Sequence, residues 1–108
     1  MKLKVGEQEY TLEFSYNSFR YLKDFNIKDL EKIEDNPFLM LPITKSLLEG
    51  SLNYSPSKEF SESEVEKILE DAMDEMNIGD LLADLVGLLE ESRFFKSLQK
   101  KTKKKAKK

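Results

Sequence analysis

Apolar and polar residues alternate at the start of this chain and then change period. In "KLKVGEQEYTLEFS", Leu3 and Val5 alternate with Lys2 and Lys4, and Tyr10, Leu12 and Phe14 alternate with Thr11, Glu13 and Ser15. A period of two puts each set on one face, so the stretch predicts a half-buried β-hairpin, with Gly6 supplying positive φ at the turn. A two-stranded ribbon is marginal by itself and needs helices to cover it.

The spacing then becomes helical. Phe19, Leu22 and Phe25 recur three apart, and Ile27, Leu30 and Ile33 repeat the pattern after a break near Asn26. "EDNP" stops one helix and starts another, with Asn36 as N-cap and Pro37 at the first helical position. "FLMLPITKSLLEG" is the most apolar segment; Pro42 has no N–H, so this helix either kinks there or begins there. Gly50 is the expected C-terminal stop. "SLNYSPSKEF" is polar and turn-rich, a surface loop.

The strongest start signal follows. Ser61 with Glu64 three residues later predicts a capping box, and Phe60 is placed to staple onto Val65. Val65, Ile68, Leu69, Ala72, Met73 and Met76 then mark one face of an amphipathic helix. "NIGD" breaks it, and Leu81, Leu82, Leu85, Leu88 and Leu89, widened by Val86, form a second stripe. The expected fold is α+β and mainly helical, an N-terminal β-hairpin packed on about five helices. Residues 1–95 form the single domain.

Charge divides the chain in the same place. Residues 1–95 hold all 21 acidic residues and ten basic ones, a net of −11, whereas residues 96–108 hold eight lysines and no acid. Such asymmetry marks a folded body with an interaction tail, and a run of like charges with only Leu98 and Ala106 as apolar residues predicts disorder in that tail. The body is near the small end for a stable core, so self-association or a partner is expected to contribute. The N-terminus has no apolar signal core, and no apolar run approaches the roughly 18 residues of a membrane span. A soluble cytoplasmic protein without membrane contact is the expectation.

Catalysis finds little to work with. There is no His and no Cys, which removes imidazole and thiolate ligands, nucleophiles and bases. The acidic residues lie opposite the apolar stripes, as a solvated face does. "DEMNIGDLLADL" fails as a calcium loop, because Met76, Ile78 and Leu85 occupy positions that need oxygen ligands. The four glycines are scattered, so no phosphate-cradling loop is formed. No catalytic residue, cofactor site or metal site is expected.

Binding surface is better represented. Phe38, Leu39, Met40 and Leu41 run almost around a helix, so they must be buried in the chain's own core or by a partner. Phe94 and Phe95 are adjacent, and both cannot easily face a small core. Either one is buried while the other closes the core, or they form a landing site for another chain. With Leu85, Leu88 and Leu89 these residues make the candidate partner-binding surface. The lysine arm offers sequence-blind attraction to phosphate, but it has no aromatic residue to stack on bases and follows an acidic body, so nucleic acid is disfavoured.

The order of features resembles the small tail assembly chaperones of long-tailed bacteriophages infecting Gram-positive hosts. "KLKVGEQEYTLEFSYNSFRYLKD" is similar to their opening, through Gly6, Tyr10, Leu12, Phe14, Phe19 and Leu22. Then come an apolar helix closing in "LLEGSL", an acidic "SESEVEKIL" helix, and "LEESRFFKSLQK" with a lysine-rich tail. Pro42 departs from the family pattern. The resemblance implies a non-enzymatic chaperone in the host bacterial cytoplasm that coats the helical, aggregation-prone tape measure protein and self-associates along it. It also implies, for many such phages, a frameshifted extension that recruits the tail tube protein. Lysine codons are A-rich and A-rich runs slip on ribosomes, so the arm fits a frameshift site as well as a contact surface. The competing reading is a small nucleic-acid-associated or regulatory protein that works through its lysine arm.

Overall fold

The hairpin closes through two residues. The computed structural model describes residues 1–22, 37–57 and 59–92. Strands β1 (Lys2–Val5) and β2 (Gln8–Thr11) pair antiparallel, with Leu3 opposite Tyr10 and Val5 opposite Gln8. Gly6 takes φ 61° while Glu7 stays at negative φ, the pattern of a type II′ turn with glycine at its first central position. Pairing continues past the strands, since the Leu12 N–H donates to the Met1 carbonyl at 2.8 Å. Leu3, Val5 and Leu12 are buried as the alternation predicted, and Lys2, Lys4, Glu9 and Thr11 face water. The hairpin is pinned at its turn, where the Gly6 N–H donates to the Glu75 carboxylate at 2.7 Å.

Three α-helices cover this ribbon: α1 (Met40–Leu52), α2 (Glu62–Glu75) and α3 (Ile78–Glu91). The central one is α1, packed against α2, α3 and a 3₁₀ helix at Tyr16–Tyr21. Its burial runs most of the way round: Ile43, Leu47, Leu48 and Leu52 fill the core, and Thr44, Ser46, Gly50 and Ser51 are buried beside them. Two of the buried hydroxyls are satisfied within the helix. Thr44 Oγ1 donates to the Met40 carbonyl at 2.6 Å, and Ser51 Oγ to the Leu48 carbonyl at 2.9 Å.

The mainly helical α+β class is as expected, but the count of about five helices is not borne out. Among the described residues there are three α-helices, and Tyr16–Tyr21 and Pro37–Leu39 wind as 3₁₀ turns instead. The physical reason lies in the pattern. Phe19 and Leu22 are three apart, which is the period of a 3₁₀ helix as much as one face of an α-helix. The expected stripe at Phe25, Ile27, Leu30 and Ile33 and the Asn36 cap lie outside the described residues.

Pro42 is the third residue of α1, so its missing N–H is one of the first-turn donors that have no intrahelical partner anyway. Gly50 is not the stop. The helix continues to Leu52, and Gly50 is where the chain before it comes closest: a Cβ there would lie 2.9 Å from Leu22 Cδ2 and 3.2 Å from the Ser18 carbonyl. The helix ends at Asn53, a buried residue whose N–H donates to the Glu49 carbonyl at 3.1 Å.

The capping box at α2 is present as expected: the Glu64 N–H donates to Ser61 Oγ at 3.2 Å, and the Ser61 N–H to Glu64 Oε1 at 3.1 Å. Val65, Ile68, Leu69 and Ala72 are buried, but Met73 is exposed and Met76 only half-buried, so the stripe narrows toward the C-terminus. Asn77 caps α3 by accepting the Gly79 N–H at 2.7 Å. Leu81, Leu82, Leu85 and Leu89 then face α1 and complete the core. No helix among the described residues is long and apolar enough to cross a membrane.

Candidate functional site

The residues expected to form one partner surface are divided by the fold. Leu85 is 0% exposed and Leu89 7%, because both lie on the face of α3 that α1 covers. They are core residues, and the expected partner surface does not run through them. Leu88, one step round the helix, is half-buried at the edge of that core. At the start of α1, Leu39 and Met40 pack on the core, whereas Phe38 is 89% and Leu41 48% exposed. "FLML" therefore splits into an inward pair and an outward pair. Phe94 and Phe95 lie outside the described residues.

Around Leu88 the surface is concave. One shallow depression of ≈ 240 Å³ is lined by Glu13, Phe14, Leu88, Glu91 and Ser92. A second, of ≈ 470 Å³, lies between the β1 end, at Met1 and Lys2, and the outer face of α3, at Ala83, Asp84, Gly87, Leu88 and Glu91. Leu88 and Glu91 border both, so the two form one groove beside α3. The hairpin positions its far wall: Phe14 follows directly from the β2 alternation, and the Glu13 N–H donates to the Ser51 carbonyl at 3.1 Å, tying that wall to the end of α1.

Among the described residues nothing requires a glycine at Gly87. It sits inside an α-helix, is exposed, has no positive φ, and a Cβ built on it would meet nothing within 4 Å among the described residues. Glycine in a helix interior costs about 0.8–1 kcal/mol relative to alanine. Sequence reasoning passed over Gly87, Ala83 and Asp84; an isolated glycine inside a helical pattern was the signal available.

Charge around the groove is one-sided. Residues 62–91 contain eleven Asp and Glu and one Lys. The two ion pairs among the described residues are Lys2–Glu9 at 3.3 Å and Lys45–Glu62 at 3.5 Å, and neither uses Glu13, Asp84 or Glu91. Helix α3 carries Asp80, Asp84, Glu90 and Glu91 and no basic residue at all. Such a face favours cationic groups and holds off polyanions. No group of three or more acidic residues among the described residues is placed to hold a metal ion.

No family model matches this chain, and neither the curated proteins nor the solved structures contain a match to it.

Proposed function

We propose that this chain is a tail assembly chaperone of a long-tailed phage, which binds the helical tape measure protein and keeps it soluble while the tail tube is built. The ordered resemblance described above motivates the identity. The structural observation that supports it is the open groove beside α3, in which Leu88 and Phe14 offer apolar surface to a long, narrow partner. Exposed Phe38 and Leu41 add apolar surface outside the core. A helix laid along such surface is the familiar helix-in-groove mode, and the acidic body would keep the coated complex soluble through its net charge.

Self-association along the client, and recruitment of the tail tube protein through a frameshifted extension, belong to the same proposal. The experiment is co-expression with the long reading frame that neighbours the gene. The long product should stay in the soluble fraction and co-purify with this chain. A product that is equally insoluble with and without it sinks the reading, and recovery of the purified chain bound to nucleic acid would favour a role for the lysine arm instead.

A further inference from the structure

Gly87 lines the larger depression and is unexplained by the packing of the described residues around it. A helix that carries glycine where no described neighbour needs one leaves its backbone open to close approach from outside. The neighbouring wall residues agree. Ala83, one turn earlier on the same face, is also small and exposed, and Leu88 supplies the apolar floor between Gly87 and the hairpin. Rim carboxylates come from Asp84 and Glu91, with Glu13 across the smaller depression. Lys2, the basic side chain of the larger depression, is already paired with Glu9.

We infer that this groove is a docking seat for an amphipathic basic helix, whose small or apolar face crosses α3 at Gly87 and whose Lys or Arg side chains flank that face and meet Asp84 and Glu91. The groove gives both halves of that description. An apolar floor excludes a purely cationic segment as the best occupant, and an acidic rim excludes an acidic one. Gly87 suits a helical partner, because packed helices sit about 8–10 Å apart and small contact residues bring the axes toward the closer limit. The α3 residues that line the groove run from Ala83 to Glu91, which at about 1.5 Å per residue offers roughly 12 Å of seat, a little over two helical turns.

This inference deepens the chaperone proposal by giving its client contact a place and a chemistry, and it rests on that reading only for the identity of the client. It can therefore be tested without the client. The probe is a fluorescein-labelled helical peptide of about 20 residues, with Ala and Leu on one face and Lys flanking it. Two controls share its length: one with the Lys replaced by Glu, and one with the same composition scrambled so that no apolar face forms. Fluorescence anisotropy against the full chain should rise for the probe and stay flat for both controls.

Two variants locate the site. Gly87→Leu fills the groove without touching the core, and should weaken probe binding at least about tenfold while its denaturation midpoint is equal to or above the parent's. The double variant Asp84→Lys, Glu91→Lys should weaken the Lys probe and admit the Glu control, with the helical circular dichroism signal unchanged. Equal binding of the scrambled peptide overturns the inference, because charge alone would then explain attraction. So does undiminished binding to Gly87→Leu. Concentration-dependent self-association that Gly87→Leu abolishes would assign the groove to a second copy and overturn the stated occupant. In the co-expression experiment, client rescue that survives Gly87→Leu would leave the chaperone proposal standing while the seat fails. Probe binding without any client rescue would separate them the other way.

Discussion

Asn53 Oδ1 accepts the Phe60 N–H at 2.7 Å, across the loop that joins α1 to α2. The Asn53 amide nitrogen donates to two carbonyls, Glu49 at 3.0 Å and Phe60 at 3.3 Å. Its own carbonyl accepts from Asn17 Nδ2 at 2.8 Å, which brings in the 3₁₀ helix. One 0%-exposed side chain thus ends α1, sets the residue that precedes the α2 cap, and lies where the hairpin's continuation packs. Phe60, so held, meets Tyr10 of β2 edge-on with ring centroids 6.2 Å apart.

Removing the Asn53 amide leaves the part-buried Phe60 N–H and carbonyl without this partner, while the Glu49 carbonyl keeps the Asn53 backbone N–H. Asn53→Ala is expected to destabilise the fold by about 1–3 kcal/mol, the usual cost of such orphaned groups. Urea denaturation reads this directly. A midpoint unchanged from the parent would mean that water replaces the side chain and that the loop is not held by it.

Gly50 should resist even one added methyl group. The Leu22 side chain can move away from a new Cβ, but the Ser18 carbonyl at 3.2 Å belongs to backbone. Gly50→Val is therefore expected to cost about 1–3 kcal/mol through overpacking, with Gly50→Ala less severe. Equal stability of the valine variant would show that the 3₁₀ helix rides loosely on α1.

The opposite sign is expected at Gly87. With no neighbour near its Cβ position among the described residues, Gly87→Ala should gain about 0.8–1 kcal/mol from helix propensity alone. A loss on denaturation would mean that some neighbour does need the glycine, and would remove the argument for an outside partner.

At the α2 cap, Ser61→Ala is expected to cost about 0.5–2 kcal/mol, since the side chain satisfies an otherwise orphaned helix donor. Combining it with Glu64→Ala should cost less than the sum of the two single changes, because each half of the box supports the other. Strict additivity in a double-mutant cycle would mean that the two bonds act separately.

Within α3, two leucines assigned by sequence to one partner surface should now behave differently. Leu85→Ala should lose about 2–5 kcal/mol, as fully buried leucines do, because Leu85 is 0% exposed. Leu88 is half-buried at the groove, so Leu88→Ser should cost less stability and weaken client rescue more. Similar stability losses at the two positions would contradict the division of the stripe.

Local chemistry is what sequence by itself determined here. The hairpin and its Gly6 turn, the Ser61–Glu64 box and the leucine face of α3 depend on residues within a few positions of each other, and period and capping rules act at that range. The acidic character of residues 62–91 is likewise plain composition. Tertiary structure decided what each pattern is for. Gly50 and Gly87 are both glycines within helical patterns, yet one is buried under Leu22 and Ser18 and the other lies open in a groove. Spacing cannot separate them, because the difference lies in what approaches from distant parts of the chain. Asn53 looked like one polar residue in a turn-rich loop, and only folding brings Asn17 and Phe60 to it. The leucine stripe was legible, but its division at Leu88 depends on where α1 stops covering α3, a property of how the helices pack together and of neither helix alone.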